Sequence, residues 1–135
     1  FAALRSFELH LLDLSGFRPE LFHCVRCGAE IQARDQFFSL NQGGVLCPDC
    51  GPHVADARPV SVDTLRYLRH LARNPLQKGM RTKIPARVRP ELETLLAADI
   101  AYLAERRLNA LRFLDEVRGE GKAVSPPAMP PSQAD

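Results

Sequence analysis

No apolar run in this chain approaches the ~20 residues needed to span a bilayer, so no membrane-crossing helix is expected. No glycine-rich phosphate loop is present, because Gly43-Gly44 reads better as the turn of a hairpin. Serines, histidines and acids are scattered without a motif that ties them together, so catalysis is not expected. Nothing at the N-terminus resembles a signal peptide, and there is no internal repeat. Acids are missing altogether from Arg66 to Arg89. Cysteine is scarce too, and the way its few copies are placed is the most informative feature of the chain.

The four cysteines form two pairs, Cys24-Val-Arg-Cys27 and Cys47-Pro-Asp-Cys50, separated by nineteen residues. That spacing is the signature of a four-thiolate zinc site. Gly28 and Gly51 follow the pairs, where a chain folding back on itself often needs φ > 0. Backbone N–H groups in such turns can point at the sulfurs and ease their charge. Between the pairs, Gln36-Phe37-Phe38-Ser39-Leu40, the turn Asn41-Gln42-Gly43-Gly44, and Val45-Leu46 read as two short strands joined by a loop. The expected module is a zinc ribbon at 22–52, unable to stay folded on its own buried apolar surface. Two disulfides, the framework of a small secreted chain, are the alternative to zinc, which the doubled spacing favours. Cys24, Cys27, Cys47 and Cys50 close a tetrahedron around one structural Zn2+ and leave no place for water or substrate. His23 and His53 stand next to the pairs as bystanders. A metalloenzyme would require a vacant position on the metal.

Helices are legible from apolar spacing. Leu4, Phe7, Leu11 and Leu14, with Leu12 beside them, mark a first helix with its core stripe, stopped at Ser15-Gly16. A second opens at Ser61, buries Leu65, Leu68, Leu71 and Ala72, and ends at Asn74-Pro75, since proline drives its predecessor out of the α region. Residues 76–90 read as irregular. A long helix begins at Glu91, with Leu92, Leu95, Leu96, Ile100 and Leu103 as its stripe and Leu108, Leu111 and Leu114 beyond. After Gly119, four prolines without periodicity predict a disordered tail. The expected fold is mainly α: a small helical domain over 1–118 with an inserted four-cysteine ribbon built on a short β-hairpin, then the tail at 119–135. The helix pattern is already running by Leu4, as in the later part of a longer protein.

The formal charge is only +2, a surplus that zinc held by four thiolates would cancel. Its distribution says more. Eight basic residues lie between Arg66 and Arg89, and uncompensated positive charge attracts phosphates or acidic peptides. Arg66, Arg69 and Arg73 share a helical face, and Arg81 and Lys83 alternate in the loop that follows. A merely solvated face is the bland alternative. Only Tyr67 interrupts the span, so base stacking on a single strand is not supported. On the first helix, Arg5 lies beside Leu4, Phe7, Leu11 and Leu12. That places it at the rim of the core, where its guanidinium can fork a carboxylate of an acidic partner.

Leu4-Arg5-Ser6-Phe7-Glu8-Leu9, Leu11-Leu12 and Gly16-Phe17-Arg18-Pro19 resemble the helix that precedes a cysteine-pair ribbon in the RecO family of bacterial recombination mediators. His23 to Gly28, Phe38-Ser39 and Gly43 to Cys50 are similar to the ribbon of its zinc-bearing members. Glu105-Arg106-Arg107-Leu108-Asn109-Ala110-Leu111-Arg112-Phe113-Leu114 resembles its closing helix. The resemblance covers roughly residues 1–118. It implies a non-enzymatic role in DNA repair by homologous recombination, in the bacterial cytoplasm and at the nucleoid. Such proteins bind and anneal DNA strands and dock the acidic C-terminal tail of single-strand-binding protein. With a RecR-type partner they help load recombinase on single-stranded DNA. The family's N-terminal OB-fold has no counterpart in this sequence, so annealing by this chain alone is expected to be poor. The competing expectation is a stand-alone zinc-ribbon adaptor of transcription or RNA processing.

Overall fold

The computed structural model describes residues 1–120. Two compact units divide the chain, Phe1–Ile100 and Ala101–Asp135. The elements in order are α1 (Ala2–Leu14), β1 (Gln36–Ser39), β2 (Gly44–Leu46), a single 3-10 turn (Gly51–His53), β3 (Arg58–Val60), α2 (Val62–Arg73), α3 (Leu76–Met80) and α4 (Arg89–Glu120). The chain is thus mainly helical, with a small antiparallel sheet between α1 and α2.

The hairpin expected from the sequence is present, with Phe38 opposite Val45 and a positive-φ Gly43 in its turn. A third strand completes the sheet, in the order β2-β1-β3. β3 is Arg58-Pro59-Val60, with Pro59 opposite Phe37. Proline cannot donate to a ladder and is tolerated in strands at an edge, which is where β3 lies. The ribbon's first loop is laced to the hairpin by backbone bonds: Glu20 N–H donates to Gly43 O at 3.0 Å, Val45 N–H to Glu20 O at 2.9 Å, and Val25 N–H to Val45 O at 3.0 Å.

One apolar cluster runs through the first unit. Leu21, Phe38, Val45, Leu46 and Val60 of the ribbon join Leu65, Leu68 and Leu71 of α2 and Leu92, Leu95 and Leu96 of α4. Burying this much aliphatic surface is the main favourable contribution to the fold. Polar clamps fix the element ends. Ser61 caps α2 by accepting from Thr64 N–H. The Glu91 carboxylate accepts from Ser61 N–H at 2.9 Å, Ser61 Oγ at 2.7 Å and Thr64 Oγ1 at 2.8 Å. Asp35 accepts from Val62 N–H at 2.9 Å.

The first helix forms where expected but presents the opposite face. Its buried residues are Ala2, Arg5, Ser6, Leu9 and Leu12. Leu4, Phe7, Leu11 and Leu14 are 55%, 51%, 49% and 86% exposed. The reason lies in α3, which the sequence reading took for irregular chain. A Cβ built on Gly79 of α3 would stand 2.4 Å from Ser6 Oγ. The two helices approach closely enough that only small side chains fit between them. The face of α1 that carries Ser6 therefore turns inward, with Leu9 and Leu12 on it, and the stripe of Leu4, Phe7, Leu11 and Leu14 is left outside.

In the second unit Tyr102 and Leu103 are half-buried, and Leu108, Leu111, Phe113, Leu114 and Val117 are exposed. The Arg106 guanidinium lies over the Tyr102 ring at 5.8 Å. Gly119 and Glu120, expected to begin the tail, are still helical. Residues 121–135 of that expected tail lie outside the described residues. Among the described residues, no helix is long and apolar enough to cross a membrane.

Candidate metal centre and the arginine groove

Three devices bring the cysteine pairs together. The Glu20 carboxylate accepts from Phe22 N–H at 2.8 Å and His23 N–H at 3.0 Å, which fixes the approach to Cys24. Gly28, at φ +80°, closes the first knuckle by donating to Cys24 O at 2.8 Å. The hairpin then returns the chain to Cys47, and Gly51 N–H donates to Cys47 O at 2.9 Å. The two glycines serve different ends. Gly28 supplies a left-handed conformation, with open space around its Cα. Gly51 has no such conformation, and a Cβ there would enter the Phe37 ring.

The sulfurs of Cys24, Cys27, Cys47 and Cys50 all lie within 4.8 Å of one another, and those of Cys27 and Cys47 are 3.9 Å apart. Four thiolates holding a tetrahedral ion at ~2.3 Å stand about 3.8 Å apart, so the cluster fits one metal ion. None of the four is in a disulfide. No histidine joins the cluster among the described residues, and His23 is instead 3.7 Å from Glu20. Burial opposes ionisation of the Cys24 thiol. Backbone N–H groups of Cys27, Cys47 and Arg26 outweigh it and bring the pKa down to about 6. Burial pushes the Cys50 thiol up to about 12, helped by the three neighbouring thiols that share its hydrogen bonds. Packed without a cation, the four sulfurs cannot all be anionic, and a divalent ion removes that conflict.

The six basic candidates separate into three groups. Arg66, Arg69 and Arg73 line one groove of about 610 Å³ with Gln32, Ala33, Val62, Leu65, His70 and Asn74. Arg69 Nε donates to Leu21 O at 2.8 Å. Both Arg69 and Arg73 stack on the Phe22 ring, at 5.1 Å and 4.7 Å from its centroid. Burial and the adjacent Arg73 charge both lower the Arg69 pKa. Asp63, just ahead of the acid-free span, partly compensates it in space, 3.7 Å from Arg66 and 3.1 Å from Arg87. Arg81 and Lys83 are exposed and outside the groove. They flank Thr82, whose hydroxyl is 2.9 Å from His70 Nε2 on the groove wall.

Arg5 is a correction. It is 5% exposed rather than at a rim. Its Nη2 donates to Glu8 at 3.2 Å, and its Nε lies 2.9 Å from the other Glu8 oxygen, an ionic contact without hydrogen-bond alignment. Glu93 is 3.9 Å away, and the Phe1 ring lies beneath at 5.4 Å. Having turned inward with the Ser6 face of α1, Arg5 is an internal ion-pair partner and not a surface fork. The sequence reading missed Phe22 and Glu20. Their only signal was position, just ahead of the first cysteine pair.

The family model described as recombination protein O C terminal matches residues 1–112. Three of the curated relatives named DNA repair protein RecO show the extent of the similarity. That of Roseiflexus sp. (strain RS-1) is 40% identical over 126 residues, 93% of this chain and 44% of that protein. That of Dehalococcoides mccartyi (strain ATCC BAA-2266 / KCTC 15142 / 195) is 36% identical over 111 residues, 82% of this chain and 44% of that protein. That of Desulforamulus reducens is 38% identical over 114 residues, 84% of this chain and 44% of that protein. The chain thus spans less than half the length of these relatives. No solved structure matches it.

Proposed function

Because the chain belongs to the recombination protein O C-terminal family, we propose that it serves DNA repair and homologous recombination as a RecO-type mediator, without enzymatic activity of its own. The observation that carries this reading is the family match over residues 1–112. The four-cysteine cluster supports one structural Zn2+, which would hold the two knuckles together and offers no open coordination position. Zinc is preferred over other ions because a tetrahedral all-sulfur site suits a cation that is borderline-soft and without redox chemistry.

Partners follow from two surfaces. The bare stripe of Leu4, Phe7, Leu11 and Leu14 supplies apolar area of the kind that marks protein contacts. It is offered here to a RecR-type protein or to the tail of single-strand-binding protein. The basic residues of α2 and the following loop supply the contact to DNA. The setting would be the bacterial cytoplasm and nucleoid.

A chimaera tests the reading. In a bacterium lacking its RecO, a RecO whose C-terminal part is replaced by this chain should restore survival of ultraviolet damage. The same chimaera with all four cysteines changed to serine should not. A chimaera that is stably produced and gives no protection would overturn the reading.

A further inference from the structure

Arg69 and Arg73 are neighbours of like sign, and neither forms an ion pair with a carboxylate among the described residues. Arg69 is partly desolvated, and Arg73 adds to the positive field around it. Such an arrangement costs free energy unless an anion joins it. The side chains are nonetheless held in place. Both guanidiniums stack on Phe22, and Nε of Arg69 is bound to Leu21 O, so its outer nitrogens remain for a ligand. Arg66 extends the row along α2, spaced three and four residues as one helical face requires.

We propose that this groove is a binding site for the phosphodiester backbone of single-stranded DNA, preorganised by Phe22 and therefore dependent on the metal centre. It rests on the reading of the chain as a DNA-handling protein. Guanidinium forks suit phosphate oxygens. The ring that might have stacked a base is occupied by the arginines themselves, so contact is with backbone and not with sequence. Phe22 sits two residues before Cys24. Its N–H is held by Glu20, and its carbonyl accepts from Ile31 N–H at 2.9 Å, across the first knuckle. Loading the metal orders that knuckle, places the ring, and so aims the two arginines. Losing the metal releases all three.

The test uses the full chain and a fluorescein-labelled thymine 20-mer, with fluorescence anisotropy over a salt series. Arg69→Ala/Arg73→Ala should lose about tenfold or more in affinity at low salt and flatten the salt slope by about 1.4, or ~0.7 for each lost phosphate contact on a single strand. Phe22→Leu keeps every charge and all four sulfurs. It should weaken binding about threefold, the worth of exposed cation–π contacts, with metal content and salt slope unchanged. Should Phe22→Leu fold poorly, Phe22→Met, which keeps the side chain's bulk and every charge but lacks the aromatic face, should show the same loss. Unchanged affinity and slope in the alanine pair would overturn the proposal while leaving the DNA-handling reading in place. Wild-type affinity in both Phe22→Leu and Phe22→Met would overturn the preorganisation. No oligonucleotide binding by the wild-type chain at low salt would remove both readings. A labelled acidic peptide that loses affinity for the alanine pair, while the oligonucleotide does not, would reassign the groove to a protein partner.

Discussion

Replacing each knuckle glycine separates two physical demands that look identical in sequence. Gly28 needs its conformation, at φ +80°, and has no atom within 4 Å of an added Cβ. An alanine there costs the left-handed penalty of an L-residue, about 1–2 kcal/mol. Asparagine tolerates that region better, so Gly28→Asn should recover part of the loss. Gly51 needs space, since an added Cβ would lie 2.2 Å from a Phe37 ring atom. The ring is partly buried and packed against the core. Gly51→Ala should therefore cost about 1–3 kcal/mol as overpacking, and Gly51→Asn should cost more than Gly51→Ala. Urea unfolding of the metal-loaded chain gives the stabilities, and competition with a chromophoric chelator gives the metal affinity. The order at position 28 should be Gly, Asn, Ala, and at position 51 Gly, Ala, Asn. The same order at both positions, or a harmless Gly51→Ala, would refute the reasoning.

Three further outcomes follow from the same geometry. Arg5→Ala should cost about 3 kcal/mol, because it strands the Glu8 carboxylate against Glu93; a thermal midpoint equal to the wild type's would return Arg5 to the surface. Burial raises the Asp99 pKa to about 6, so the folded state holds that proton more tightly than the unfolded chain, and this group's contribution falls as pH rises from about 4 to 6. Asp99→Asn should then gain about 1–2 kcal/mol over the wild type at pH 7.5, a gap that closes near pH 4; a gap independent of pH in denaturant titrations would show that Asp99 is not the cause. Chelation should melt the ribbon before the helices, since a thiolate site supplies local folding energy; calorimetry showing one transition unmoved by chelator would contradict this.

The two cysteine pairs, the hairpin between them and both ends of α2 were legible because each rests on local chemistry: ligand spacing, a turn glycine, a Ser61 cap, a proline stop. β3 was not, since Arg58-Pro59-Val60 is too short and too polar to read as a strand and forms only as an edge against β1. The facing of α1 was lost for a different reason. Apolar spacing reports which residues could be buried, whereas burial here was decided by how closely α3 approaches. That is set by Gly79 and Ser6, seventy-three positions apart in sequence. Arg5 followed its helix inward. The arginine groove was half legible, as a basic helical face, but its fixation on Phe22 joins residues distant in sequence and could be seen only in the fold.

The central claim is that one metal ion, held by four sulfurs alone, builds the module on which the rest depends. Cobalt titration of the reduced chain tests it most directly. The account expects one equivalent bound by Cys24, Cys27, Cys47 and Cys50, with the intense visible spectrum of tetrahedral all-thiolate cobalt and its displacement by one equivalent of zinc. A spectrum of mixed nitrogen and sulfur ligation, bringing in His23 or His53, or no saturable binding at all, would contradict it.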